Sequence, residues 1–216
     1  MLSMKTKETI KEGFITRYHN IKYKKMRTLV KNKDITIISN NCWGGHFYRD
    51  LNIPYKSPFI GLFINSPDYI KMLKNFEYYM EQDLVFTKKS KLDEGKQNQK
   101  LREYPIGLLK DIELHFLHYQ SEEEALEKWT RRKSRMNWNN MYFKFSEKFN
   151  CTPNLIKQFD SLPFQNKLIL TKEHYEGLSS AVQLKKFNLN HEMYFYYKYF
   201  DLIAWINFGE VLAKRK

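Results

Sequence analysis

The stretch Ile35-Thr-Ile-Ile-Ser-Asn-Asn-Cys-Trp-Gly-Gly45 constrains this chain more than any other. Ile35, Thr36, Ile37 and Ile38 are β-branched and read as a buried strand. Ser39, Asn40 and Asn41 end it. Gly44 and Gly45 permit a tight turn into a helix, and Trp43 anchors the loop. A strand that feeds a polar loop and then a helix is a unit of open α/β sheets, which bind ligands beyond the carboxyl ends of their strands.

The same alternation continues downstream. Residues 34–39 form the first predicted strand, and Gly44–Leu51 a short helix. Phe59–Ile64 reads as a second buried strand. Ser66-Pro67-Asp68 is a helix start, with Ser66 as cap, Pro67 at the first position and Asp68 at the positive end of the dipole. That helix is expected to run to about Met80. Tyr104–Gly107 reads as a turn. Ile112, Leu114 and Phe116 alternate with Glu113, His115 and Leu117, which is strand periodicity over Asp111–His118. Ser121 and Glu124 form a capping box that opens a helix to about Met136. Met141–Phe145 is a fourth strand, Thr152-Pro153 starts another helix, and Lys167–Thr171 is a fifth strand. Strands alternating with capped helices point to a mostly parallel sheet covered on both faces.

Three segments stand apart within what reads as a single domain over 1–216. Residues 1–31 form an amphipathic helix with Ile10, Phe14, Tyr18 and Ile21 on one face and many cations elsewhere. It either packs on the domain or lies on a membrane surface. Residues 88–103 are polar and aperiodic, and read as a mobile loop. Residues 172–216 are aromatic-rich, with strand and helix both open for Tyr194–Ile206.

Composition excludes several classes. Hydrophobic residues at 42% argue against disorder. No apolar run approaches the ~18–20 residues that span a bilayer, and the first residues lack a signal-peptide core. A cytoplasmic place follows, with peripheral contact at the inner membrane as an extension. Cys42 and Cys151 have neither zinc nor disulfide spacing. The net charge of +13 favours anionic partners or simple solubility.

Candidate site residues follow from the expected sheet. The loop Ser39, Asn40, Asn41, Cys42, Trp43, Gly44 and Gly45 would wall a ligand site, with backbone N–H groups facing an anion. It matches neither a P-loop nor GxGxxG. Cys42 at a helix N-terminus would have a lowered pKa and could act as a nucleophile, or else simply packs. His118 at a strand end would lie beside this loop as a general base, and Glu147, past the fourth strand, is the carboxylate placed for acid–base work. Asp111 and Glu113, at the opposite strand end, read as structural. Arg132, Arg135 and Asn137, in a run of Arg, Trp and Asn, would either hold an anionic ligand or form a solvated helix end. No metal site is suggested, and no cofactor is identified.

Ser39-Asn-Asn-Cys-Trp-Gly-Gly45, the Ser57-Pro58 strand entry, Ser66-Pro-Asp-Tyr69, Tyr104-Pro-Ile-Gly107, His118-Tyr119-x-Ser121 and Glu124-Ala-x-x-x-Trp129, with Arg132 and Arg135-x-Asn137, together resemble the DUF1919 family. The resemblance runs from about residue 30 to the C-terminus. It implies a three-layer, Rossmann-like α/β fold of about five mostly parallel strands with helices on both faces, leaving room for a small α/β appendage. Members are often labelled exopolysaccharide or capsule biosynthesis proteins, so the resemblance implies work on bacterial surface glycans. It carries no established reaction and hence no catalytic residue.

Three functions compete on these grounds. The first is a transferase of surface-polysaccharide synthesis, glycosyl, acyl or other, using an anionic activated donor. The second is a non-catalytic glycan-binding or assembly protein, whose exposed aromatics would stack on sugar rings and whose basic face would hold acidic glycan or the inner membrane. The third is nucleic-acid binding, which rests on charge alone and lacks any recognised motif.

Overall fold

A computed structural model describes residues 23–24, 27–93, 103–184 and 205–206. In chain order these form β1 (Thr36–Ser39), α1 (Trp43–Leu51), β2 (Phe63–Ile64), α2 (Ser66–Lys74), α3 (Phe76–Glu81) and β3 (Val85–Thr87). A 3-10 turn at Lys91–Asp93 precedes β4 (Ile106–Leu109), β5 (Ile112–His115) and α4 (Glu122–Lys133). Then come β6 (Met141–Ser146), α5 (Pro153–Asp160), β7 (Lys167–Thr171) and β8 (Ala181–Gln183).

The strands form two sheets. β1-β6-β7-β8 is a parallel sheet, with Thr36 opposite Met141, Phe143 opposite Lys167 and Ile169 opposite Ala181. β2-β5-β4-β3 is antiparallel throughout. The Ile64 N–H donates to Asn40 O at 3.0 Å, so the second sheet is tied to the loop that leaves β1.

Period two decides the packing of the parallel sheet. Ile35, Ile37, Tyr142, Leu168 and Leu170 face one apolar cluster with Phe47, Tyr48 and Trp205. Ile38, Phe143, Phe145 and Ile169 face the other, with Tyr69, Phe159 and the antiparallel sheet's Leu114 and Phe116. A sheet buried on both faces needs such continuous apolar runs. Tyr69 completes the inner layer. Its hydroxyl lies 3.0 Å from both Ile38 O and Lys144 O, which satisfies a buried phenol.

Several expectations are corrected. The parallel sheet has four strands among the described residues, and its fourth is β8, in the part of 172–216 ahead of Tyr194 where no strand is expected from sequence. The two expected strands at 59–64 and 111–118 belong to the antiparallel sheet, and the first keeps ladder pairing only at Phe63 and Ile64. The expected turn at Tyr104–Gly107 contains the start of β4. Gly107 sits there because a Cβ would fall 2.6 Å from Leu84 Cδ1 and 2.8 Å from Phe116 Cε2. A glycine inside a strand marks close packing here, not a turn.

The helix from Ser66 also differs. Asn65, in extended conformation, precedes it, while the Ser66 hydroxyl donates to Lys148 O at 2.5 Å and leaves no cap. It stops at Asn75, whose φ of −135° and ψ of 50° are not helical, and α3 restarts after it. By contrast Ser121 and Thr152 cap α4 and α5 through Glu124 N–H and Leu155 N–H at 3.1 and 3.3 Å. Within 88–93, Lys88, Lys89 and Lys91 are exposed, while Ser90 and Asp93 are buried. Residues 94–102 lie outside the described residues, as do 1–22 and most of 185–216.

Candidate active site

The carboxyl ends of β1 and β6 are clamped together by side chains. Asn40 spans the gap: its Oδ1 accepts from Ser146 N–H at 3.2 Å and its Nδ2 reaches Ser146 O at 3.5 Å. Asn41 Oδ1 accepts from Ser39 Oγ, Trp43 N–H and Lys144 Nζ, each at 3.2 Å. Its Nδ2 donates to Ser146 Oγ at 3.1 Å, and Lys144 Nζ also donates to that hydroxyl. Lys144 is wholly buried, its ammonium 5.5 Å from the Trp43 ring.

These bonds change the meaning of the loop. Ser39, Asn40 and Asn41 spend their polar groups on the clamp and are buried. Asn41 caps Trp43 N–H, and Gly45 N–H donates back to Cys42 O at 3.1 Å. Gly44 packs α1 on β1, where a Cβ would come 3.3 Å from Ile37 Cγ2. The expected cradle of loop N–H groups for an anion is therefore largely consumed internally.

Beside the clamp a cleft of about 280 Å³ opens between α1 and the segment leading into β2. Cys42, Gly45, His46 and Arg49 line one wall, at i, i+3, i+4 and i+7 on a single helix face. Tyr55, Ile60, Gly61 and His118 line the other. Gly61 has φ +71°, which favours glycine, and a Cβ on it would also lie 3.3 Å from His118 Cβ. Its carbonyl accepts the His118 N–H at 3.1 Å, and that bond seats the imidazole on the cleft. His118 thus meets the Cys42–Gly45 segment as expected, but the antiparallel β2–β5 pairing brings it there, not a parallel strand end.

Arg132 supports this wall from behind. Its guanidinium donates to Tyr119 Oη at 2.5 Å and lies 4.9 Å from the Tyr55 ring centre. Tyr119 Oη in turn donates to Ile60 O at 2.6 Å. No described residue lining the cleft is acidic. Arg49 and the buried Arg132 are the cations around it, and Arg49 Nε also lies 3.3 Å from the buried Asp50 Oδ1.

Cys42 differs from expectation. Burial pushes its thiol above the ordinary value, and the Lys144 charge offsets this only in part. Its sulfur lies 3.7 Å from Leu62 O. Desolvation outweighs the helix terminus, so a lowered thiol pKa is not found.

Three other candidates stand elsewhere. Glu147 accepts from Lys172 N–H at 2.5 Å and from the Tyr175 hydroxyl at 2.8 Å, holding the loop after β7. Asn137 lies at the amino end of the sheet, where its N–H donates to Thr36 Oγ1 at 2.7 Å and its Nδ2 to Asp34. Arg135 is exposed just before it. They do not join the cleft.

Two buried ionisable groups carry more structure than their sequence positions announce. Lys144 interrupts the apolar run Met-Tyr-Phe-Lys-Phe, and that interruption was the available signal. Glu113 and His115 alternate on β5, with His115 Nε2 2.7 Å from Glu113 Oε1. Burial raises the Glu113 carboxyl, but His115, Ser90 and the Lys91 N–H overcome it and hold it down at about 2. His46, Arg49 and Tyr55 were not singled out as ligand groups, although the i, i+4, i+7 spacing from Cys42 marks the face. Among the described residues no group of histidine, cysteine and carboxylate side chains could hold a metal ion.

Comparison with known proteins bears on this site. An uncharacterised protein of Haemophilus influenzae is 35% identical over 187 residues, covering 82% of this chain and 85% of that protein. The family described as "Domain of unknown function (DUF1919)" matches residues 10–207, and the chain belongs to it.

Proposed function

We propose that this protein transfers a group from an anionic activated donor, a sugar nucleotide or an acyl-CoA, to a glycan in bacterial surface-polysaccharide synthesis. The carrying observation is a cleft lined by Arg49 and by no acidic residue, with an imidazole on each wall. The donor's phosphate lies against Arg49 and His46, where a bidentate guanidinium is suited to it. His118 takes the proton from the acceptor hydroxyl as that oxygen bonds to the transferred carbon, and the donor's phosphate or thiolate departs. Cys42 packs and takes no covalent part. The parallel sheet with its site at the carboxyl ends supports a Rossmann-like reading of the fold. No helix of the described residues is long and apolar enough to cross a membrane, and a cytoplasmic place suits donors made there.

A thermal-shift titration with UDP-sugars and acyl-CoA esters tests this. A bound donor at a hundredfold excess over its Kd raises the melting temperature by about 5 °C or more. Arg49→Ala and His118→Gln abolish the shift or the turnover while leaving the unliganded melting temperature in place. No shift with any donor, or a shift that survives both substitutions, overturns the reading.

A further inference from the structure

At the other end of the parallel sheet lies a second opening, a groove of about 380 Å³. Lys74, Asn75, Phe76, Glu77, Tyr78 and Phe164 line most of it. Trp138 packs beside the groove, its ring centre 5.8 Å from that of the lining residue Phe76. Tyr78 is 51% exposed and Trp138 42%.

Trp138 is unusual within this chain. The other three tryptophans, Trp43, Trp129 and Trp205, are buried at 3% exposure or less. Leaving an indole in water forfeits the stabilisation that burying it would bring, roughly as for any large apolar side chain, at ~25 cal/mol per Å². The loop that carries it is nevertheless fixed. Asn139 N–H donates to Asn137 Oδ1 and Asn140 N–H to Asn137 O, both at 3.1 Å. Asn137 N–H is held by Thr36, and Asn140 Nδ2 donates to Asp34 O at 2.6 Å. These bonds hold a part-exposed indole in one orientation. Such preorganisation lowers the entropic cost of binding.

We propose that this groove binds the pyranose rings of an oligosaccharide, stacked on Trp138 and Tyr78. A pyranose offers axial C–H bonds on one face and hydroxyls around its edge. The groove offers the complement: aromatic faces bordered by an ammonium, an amide and a carboxylate from Lys74, Asn75 and Glu77. The volume falls in the ~300–1,000 Å³ range of small-ligand sites. The carboxylate of Glu77 disfavours an anionic lipid surface. The site stands apart from the donor cleft, and holds whether the protein transfers a group or only retains a glycan.

Acrylamide quenching of tryptophan fluorescence tests the proposal on the full chain, because Trp138 is the accessible indole. The probes are neutral trisaccharides of glucose, galactose, mannose and N-acetylglucosamine, and a trisaccharide of glucuronate. At least one saturably protects Trp138 from quenching. Tyr78→Ala weakens that protection about tenfold, the effect of losing one stacking platform. Trp138→Ala removes the quenchable signal and, by calorimetry, the binding, while its melting temperature stays within about 2 °C of the parent, as for an exposed side chain. Protection by none of these saccharides overturns the proposal, as does protection seen only with phosphatidylglycerol vesicles or only on raising protein concentration. Donor shifts at the cleft are read separately, so either site can fail alone.

Discussion

His115 Nε2 sits 2.7 Å from Oε1 of Glu113, with both side chains buried and the imidazole stacked on Phe63 at a ring separation of 4.2 Å. The carboxylate is further held by Ser90 Oγ at 2.6 Å and Lys91 N–H at 2.9 Å. A buried charge survives only with this number of partners.

The first prediction follows from that carboxylate. Burial acts to raise it, yet its partners hold it at about 2, below its ordinary 4.5. A depressed carboxyl contributes stability fully above about pH 4.5 and loses it as the pH falls towards 2. The contribution is on the order of 3 kcal/mol. Urea unfolding measured across this window therefore steepens with acid in the parent chain. Glu113→Gln lowers stability at pH 7 and flattens the slope between pH 4.5 and 2; an unchanged slope would rule out Glu113 as its source.

The second concerns the clamp between β1 and β6. Lys144 donates to Asn41 and Ser146, and both acceptors are buried beside it. Lys144→Met fills the space but removes one donor from each oxygen, leaving Asn41 Oδ1 with Ser39 and the Trp43 N–H and Ser146 Oγ with Asn41 Nδ2. The expected loss is about 1–3 kcal/mol in chemical denaturation, more than the same change at an exposed lysine such as Lys74. Equal losses at the two positions would mean that the network contributes nothing.

A third prediction tests why β4 contains glycine. Gly107→Ala places a methyl group within 2.6 Å of Leu84 and 2.8 Å of Phe116. The Phe116 ring also packs against Trp129 and Tyr119, so it has little room to yield. Overpacking of this kind costs about 1–3 kcal/mol. A melting temperature equal to the parent's would show that the sheet adjusts freely.

Three of the four parallel strands were legible because they are continuous apolar runs with helix caps between them. Ile35–Ser39, Met141–Phe145 and Lys167–Thr171 all lie where their residues predict. The antiparallel half was not legible as such. Its strands are short, one has two residues, and pairing direction leaves no mark on a single strand's periodicity. Gly107 and Pro105 look like turn residues, and only the positions of Leu84 and Phe116 show that the glycine answers a packing demand. At the cleft, His118 and Cys42 could be named from sequence, but their company could not. Whether Asn41 faces a ligand or Lys144 depends on a strand a hundred residues away.

The last prediction separates packing from catalysis at Cys42. Both thiols are pushed up by burial: Cys42 above its ordinary 9.0, and Cys151 to about 12, the latter also by the Glu147 charge. Only the thiolate attacks an electrophile, so both react slowly at neutral pH. Iodoacetamide labelling at pH 8, followed by mass spectrometry, runs at least about tenfold slower for the folded chain than for the urea-unfolded chain, whose thiols titrate near ~8.5. The Cys42 rate keeps rising beyond pH 9 instead of levelling off at pH 7. Cys42→Ala then retains donor-induced thermal shifts and turnover, since a side chain that only fills the space near Leu62 leaves Arg49 and His118 on the cleft walls. Rapid labelling of Cys42 at pH 7, or turnover lost in Cys42→Ala with donor binding intact, would return the thiol to the role of nucleophile.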